Sequence, residues 1–159
     1  SPMIKVGDRI PEGSFKTMTP KGVKTIKTNE IFAGKKVVFF GVPGAFTPGC
    51  AKVHFPGYVA NIDAIRATGV DSVVCMAVND VFVLGAWSKD QGAEGKVTLI
   101  SDGSAHYAKA LGLELDLSHV FMGMRCKRFS MVVNDGVVES VNVDDRTIEA
   151  TTAQNTCGL

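Results

Sequence analysis

The fold class predicted for residues 1–159 is a single α/β domain with a mixed central sheet and helices on both faces. Three observations lead there. Short β-branched and aromatic runs alternate three times with segments of helical period, as parallel strands joined by crossover helices would. The chain then changes to two strand-like runs around Asn134-Asp135-Gly136, an antiparallel hairpin signal. Finally, 159 residues at 45% hydrophobic content suffice for one core without disulfide or metal staples.

The elements follow in order. Lys36 to Val42 is an apolar, β-branched and aromatic run and reads as a buried strand. Pro43 to Cys50 is turn-rich and leads into a helix whose stripe is Phe55, Val59, Ile62 and Ile65, kinked at Pro56 and ended by Gly69. Val70 to Val78 is a second buried strand. Asn79 or Asp80 caps a helix through Val81, Leu84 and Trp87, with Trp87 and Phe82 read as core or interface positions. Val97 to Ile100 is a third strand, and Ser104 opens a helix through Tyr107, Ala108 and Leu111 to Gly112. Leu113 to Met124 lacks a period and reads as irregular. Arg128 to Val133 and Val137 to Val143 are the hairpin strands, and Thr147 to Thr152 a short last helix. The order, βαβ followed by ββα with insertions, fits a thioredoxin-like topology best.

Composition narrows the function. The 17 basic and 16 acidic residues nearly cancel, which argues against a nucleic-acid partner or an anionic membrane surface. The longest apolar run, Val37 to Phe46, is broken by Pro43 and two glycines and is too short for a bilayer. Ser1 to Gly13 contains no apolar leader; Met3 is read as the natural start after an added Ser1-Pro2, and a cytoplasmic location is expected. Cys50, Cys75, Cys126 and Cys157 are widely and irregularly spaced, with no C-x-x-C and no paired histidines. That pattern suits neither a disulfide framework nor a closed zinc site, and leaves redox or nucleophilic chemistry.

The candidate reactive residue is Cys50. Ligand sites in such sheets lie where strand ends run into helix N-termini, and Thr47 as N-cap with Pro48 at the first helical position places Cys50 in the first turn. Unpartnered N–H groups and the helix dipole favour a thiolate there. A free thiol, with a pKa of about 8.5, is only a few per cent ionised near pH 7. Lowering a thiol to about 6 takes about 3.4 kcal/mol, whereas a helix terminus supplies at most about 2 kcal/mol. A cation is needed as well. Arg128, in the basic cluster with Arg125 and Lys127, is the candidate, because a guanidinium cannot lose its charge. Spacing alone does not connect it to Cys50.

Pro43-Gly44-Ala45-Phe46-Thr47-Pro48-Gly49-Cys50, followed by Lys52, His54 and Pro56-Gly57, resembles the active-site segment of type II peroxiredoxins, the atypical peroxiredoxin V-like branch. The resemblance extends through Ile4 to Asp8, Val78-Asn79-Asp80, Leu111 to Asp116 and Lys127 to Met131. It implies a thiol-dependent peroxidase acting on hydrogen peroxide and organic hydroperoxides. Cys50 would be the peroxidatic cysteine and Thr47 a hydroxyl partner of the peroxide oxygens. Arg128 would stabilise thiolate and transition state, and Pro43 would shield the pocket. No cofactor or metal is implied. A sulfenic acid on Cys50 must then meet a thiol. An external one is expected, from glutathione with glutaredoxin or from thioredoxin, with Cys75 and Cys157 as alternative internal resolving residues. A homodimer is also implied.

Other residues have plainer readings. Cys75 reads as a small core residue; Cys126, in phase with Arg128 and Ser130, could lie near the pocket but reads most simply as an incidental strand residue. His54, four residues after Cys50, could face it as a Cys–His pair for acyl transfer, but no third orienting group is visible. The resemblance makes His54 a supporting residue. His106 and His119 read as surface or helix-end residues. A thioredoxin-fold binding or chaperone module with a silent Cys50 is the remaining rival.

Overall fold

Seven strands form the central sheet in the computed structural model, which describes residues 2–159; their order is β2 (Gly22–Lys27), β1 (Ser14–Thr19), β5 (Thr98–Ser101), β4 (Ser72–Ala77), β3 (Lys36–Val42), β8 (Arg128–Asn134) and β9 (Val137–Asp144). Ser1, assigned above to an added dipeptide, lies outside the described residues. β3 (Lys36–Val42), β4 (Ser72–Ala77) and β5 (Thr98–Ser101) are mutually parallel, as the alternation predicts. β8 (Arg128–Asn134) joins β3 antiparallel, and β9 (Val137–Asp144) joins β8. Their turn is Asp135-Gly136, both at positive φ, the two-residue connection that follows the right-handed twist of the strands.

Alternation along the buried strands sorts the core into two layers. Val37, Phe39, Val74 and Met76 face one side, against Ile31 and Phe32 of α1 (Thr28–Phe32) and Tyr107 and Ala108 of α5 (His106–Ala110). Val38, Phe40, Val42, Val73, Cys75 and Ala77 face the other. There they meet α2 (Phe55–Ala60), α3 (Ile62–Ala67), α4 (Val81–Asp90) and α6 (Ala153–Cys157). Helices therefore cover both faces, the thioredoxin-like arrangement. Each large apolar side chain so buried contributes about 1.5–3 kcal/mol.

Several expectations are corrected. An N-terminal hairpin, β1 (Ser14–Thr19) and β2 (Gly22–Lys27), was not legible, because its strands are half-exposed and rich in Lys and Thr. Leu113 to Met124 is not irregular: β6 (Glu114–Leu117) and β7 (Gly123–Cys126) pair as a separate two-stranded sheet around a 3-10 turn. Ser104 does not open α5. Ala105, at φ 62°, precedes it, and the Asp102 carboxylate accepts from the Tyr107 and Ala108 amides. Asp80, not Asn79, caps α4, accepting from Phe82 and Val83 N–H. The last helix lies at Ala153–Cys157 rather than Thr147 to Thr152. Residues 147–151 instead wrap the Asp144 carboxylate, which accepts from the Glu149, Ala150 and Thr151 amides and from the Thr147 and Thr151 hydroxyls.

The segment after β3 departs from the simple kinked helix expected at Pro56. Pro48 and Gly49 are helical, Cys50–His54 is a π-helical turn, and α2 and α3 are separated at Asn61 rather than at Pro56. Widening the turn before Pro56 relieves the clash a proline ring makes with the preceding turn. Tyr58 replaces Val59 as the fully buried member of the stripe, and Gly69, at φ 96°, closes the helix as expected.

Candidate active site

Cys50 lies where β3 delivers the chain into its helix. Phe46, at φ 62°, reverses the loop, and the Thr47 hydroxyl donates to the Gly44 carbonyl at 2.7 Å. Thr47 is thus at the helix start by position, with the Ala51 N–H reaching its carbonyl at 2.8 Å, but its side chain does not cap. Turned back on the loop, it leaves the oxygen lone pairs free to accept. Asn79, in the bend after β4, holds the same loop, its Oδ1 accepting from Ala45 N–H at 2.9 Å. Pro43, half-buried, directly follows β3.

Arg128, the first residue of β8, reaches across to this loop. Its Nη2 donates to Cys50 Sγ at 3.1 Å, and its Nη1 lies 2.8 Å from His54 Nδ1. The ion pairs among the described residues are Lys5–Asp8 and Lys24–Glu30, so the Arg128 charge has no carboxylate at ion-pair distance. One of the two terminal nitrogens of Arg128 is instead directed at the Cys50 sulfur. Gly49 allows this close packing: a Cβ there would stand 3.2 Å from Ile148 Cδ1 and 3.5 Å from Arg128 Nη2. Cys50 is 1% exposed, so water is largely excluded from the sulfur.

Neither ring nitrogen of His54 hydrogen-bonds the sulfur; both have other partners. Burial, and then the Arg128 charge, push its pKa down to about 4, so the ring is neutral near pH 7. Nδ1 accepts from the guanidinium, which places the proton on Nε2, 3.0 Å from the Thr151 carbonyl. The Thr151 amide and hydroxyl in turn bind the Asp144 carboxylate. Burial raises that carboxyl, but the Thr151 hydroxyl and the amides of Thr151, Glu149 and Ala150 outweigh it and hold it at about 2. A continuous chain thus runs from Cys50 through Arg128, His54 and Thr151 to Asp144. With both ring nitrogens partnered elsewhere, the Cys–His acyl-transfer arrangement is not formed.

Cys75, Cys126 and Cys157 are held protonated. Burial pushes Cys75 well up, and Cys126, raised by burial and then by the Asp102 charge, stands at about 12. Cys75 is in the middle of the sheet, opposite Phe40 and Leu99. Cys126 is fully buried and donates to the Val42 carbonyl at 3.2 Å, so it lies beneath the loop rather than lining the pocket. Cys157, at the end of α6 and half-buried, is raised to about 11 by burial. His106 and His119 are at the surface. Trp87 is core, 4.4 Å ring to ring from Phe55 and 6.4 Å from Phe46, whereas Phe82 is 68% exposed.

Sequence reasoning missed Asn79 as loop anchor, the Asp144–Thr151 support and Arg125. Arg125 is a clamp, donating from Nε to the Met122 carbonyl and from Nη1 to the Val78 carbonyl. Two of these carry a faint sequence signal. Asn79 directly follows a buried strand, and Arg125 sits in the basic cluster.

Fold and site together define a thioredoxin-like domain with one buried thiol held by a guanidinium that has no carboxylate partner. The redoxin family profile matches residues 5–156. Over 146 residues the chain is 41% identical to the chloroplastic peroxiredoxin-2E of Arabidopsis thaliana, covering 89% of this chain and 62% of that protein. It is 39% identical to peroxiredoxin-2D of the same plant, covering 89% and 88% of the two chains. The crystal structure of reduced Prx3 from Vibrio vulnificus in complex with hydrogen peroxide superposes with a TM-score of 0.92. That pair shares 41% identity, and the match covers 96% of each chain. The chain belongs to the redoxin family and, within it, to the type II peroxiredoxins. It spans under two thirds of the length of the first chloroplastic relatives, 62% and 65%.

Proposed function

We propose that this protein is a thiol-dependent peroxidase reducing hydrogen peroxide and alkyl hydroperoxides, with Cys50 as the peroxidatic residue. The observation that carries this is the 3.1 Å contact to the Cys50 sulfur from the Arg128 guanidinium, which has no carboxylate at ion-pair distance. The Cys50 thiolate attacks the nearer peroxide oxygen. An S–O bond forms, the O–O bond breaks, sulfur loses two electrons, and the distal oxygen leaves with a proton as water or alcohol. Arg128 stabilises the anionic sulfur and the charge developing on the oxygens. The Thr47 hydroxyl accepts a peroxide O–H, which aligns the O–O bond with the sulfur, and Pro43 keeps the rim dry.

Recycling by an external thiol, from glutathione with glutaredoxin or from thioredoxin, is the reading we favour. Cys75 pairs within the sheet between β3 and β5, so bridging it to Cys50 would require breaking β4 pairing. Cys157, on the short terminal helix, is the less costly internal alternative. A homodimer is supported by the exposed apolar side chains near this end, Phe46 and Phe121. Four unpaired thiols suit a reducing, cytoplasmic compartment. The whole chain is read as one domain.

Stopped-flow mixing of reduced protein with a small excess of hydrogen peroxide tests the assignment. One thiol should react orders of magnitude faster than free cysteine, and Cys50→Ser should abolish that phase. Reaction at the rate of free cysteine would refute it.

A further inference from the structure

The turn that carries Cys50 contains a carbonyl with no helical donor of its own. In the π turn, Phe55 N–H reaches back five residues to the Cys50 carbonyl. The next carbonyl, that of Ala51, would take its helical bond from residue 55 or 56. Phe55 is already used, and Pro56 has no N–H. Gln91, the residue closing α4, takes that place: its Nε2 donates to the Ala51 carbonyl at 3.1 Å. α4 is a firm anchor, since Leu84 and Trp87 are buried in the core and Trp87 packs on Phe55.

We propose that Gln91 is a positioning residue that latches the Cys50 turn in its wound state and so sets how readily oxidised Cys50 leaves its pocket. This rests on Cys50 being the peroxidatic residue. Cys50 is 1% exposed, so an external thiol reaches the sulfenic acid only after the turn opens. Thiol attack then forms an S–S bond and expels the sulfenic oxygen as water. While the turn stays wound, a second hydroperoxide can instead transfer another oxygen to the sulfur, giving a sulfinic acid and releasing water or alcohol. The latch biases the oxidised enzyme towards the second course.

Hydrogen exchange of the reduced, full-length protein reads the latch without peroxide chemistry, and so stands or falls apart from the role of Cys50. In Gln91→Ala, the amides of residues 51–55 should exchange about fivefold faster, the effect of one ordinary hydrogen bond. Gln91→Glu, which keeps the volume but presents an acceptor to the carbonyl, should do at least as much. In a Pro56→Ala background, residue 56 regains an N–H for the Ala51 carbonyl, and the effect of Gln91→Ala should fall below twofold. Unchanged exchange in Gln91→Ala, or equal acceleration with and without Pro56, overturns the latch. Intact mass at fixed glutathione and rising hydrogen peroxide reads the consequence. Gln91→Ala should need several-fold more peroxide for half-conversion to sulfinic acid, and equal yields would overturn the link to oxidation.

Discussion

Arg128 Nη1 donates to His54 Nδ1 at 2.8 Å, so one guanidinium is oriented by a neutral ring while its other arm holds the Cys50 sulfur at 3.1 Å. The tautomer follows from chemistry, because an arginine offers donors alone. A charged His54 would turn that acceptor into a donor and set two cations against each other. The site therefore depends on burying a histidine in its neutral form.

That dependence has a stability signature. The His54 pKa falls from about 6.5 in the unfolded chain to about 4 in the fold, so the unfolded state binds the extra proton between those values. Stability should be full above pH 6.5 and decline as pH falls to about 4, by up to about 3 kcal/mol. His54→Asn should flatten this window in urea titrations at pH 7.5, 5.5 and 4.5. Asp144, held at about 2, acts lower: its contribution is present above the usual carboxylate value of 3.8 and is lost as pH falls through about 2.

Substitution of Arg128 separates charge from geometry. Arg128→Met should slow the peroxide reaction of Cys50 by about 100- to 1000-fold, the scale of losing an aimed donor at a developing anion. Arg128→Lys should fall between the two, since one ammonium does not match the planar fork that spans sulfur and imidazole. Stopped-flow second-order rates check both, and a wild-type rate in Arg128→Met would remove the residue from the mechanism.

The support behind His54 should matter at a distance. Asp144→Ala frees the amides of Glu149, Ala150 and Thr151, and with them the Thr151 carbonyl that His54 and Tyr58 both use. We expect a loss of at least about 2 kcal/mol in stability and a several-fold slower peroxide reaction. Denaturation midpoints and rates measured on the folded variant separate the two effects.

Gly41 is required by packing. A Cβ there would run into the edge of the Phe129 ring, its strand neighbour on β8. Gly41→Ala should cost about 1–3 kcal/mol, and Phe129→Leu should recover part of it by removing the ring edge. A double-mutant cycle by chemical denaturation measures that coupling.

The buried thiols should be silent in the native state. Cys75 and Cys126 are fully buried with raised pKa values, so at pH 7.5 they should alkylate only when the protein unfolds. Intact mass after brief iodoacetamide treatment, with and without denaturant, counts them. Rapid native modification of either would contradict the packing.

Much of the fold was legible because period and composition coincide with burial. β3, β4, β5 and the β8–β9 hairpin announce themselves through β-branched runs and an Asp-Gly turn. The β1–β2 hairpin and β6–β7 pair did not, because half-exposed strands with Lys, Thr, Glu and Asp lack the apolar contrast on which the reading depends. Ser104 looked like a cap because its type suits one. The carboxylate of Asp102 reached the same amides from further back, and only the course of the backbone decided between them.

By itself, the sequence determined the place of Cys50. Local chemistry suffices for that: Pro43 and Gly44 end a strand, Pro48 starts a helix, and a cysteine follows in the first turn. Which cation meets it, which thiols stay silent and what holds the loop were decided by tertiary structure alone. Arg128, His54, Asp144 and Gln91 reach the site from β8, the helix of Cys50, the end of β9 and the end of α4. Spacing along a chain carries no information on such encounters, because they are fixed by sheet order and by which face each side chain takes, and those emerge only when the core closes.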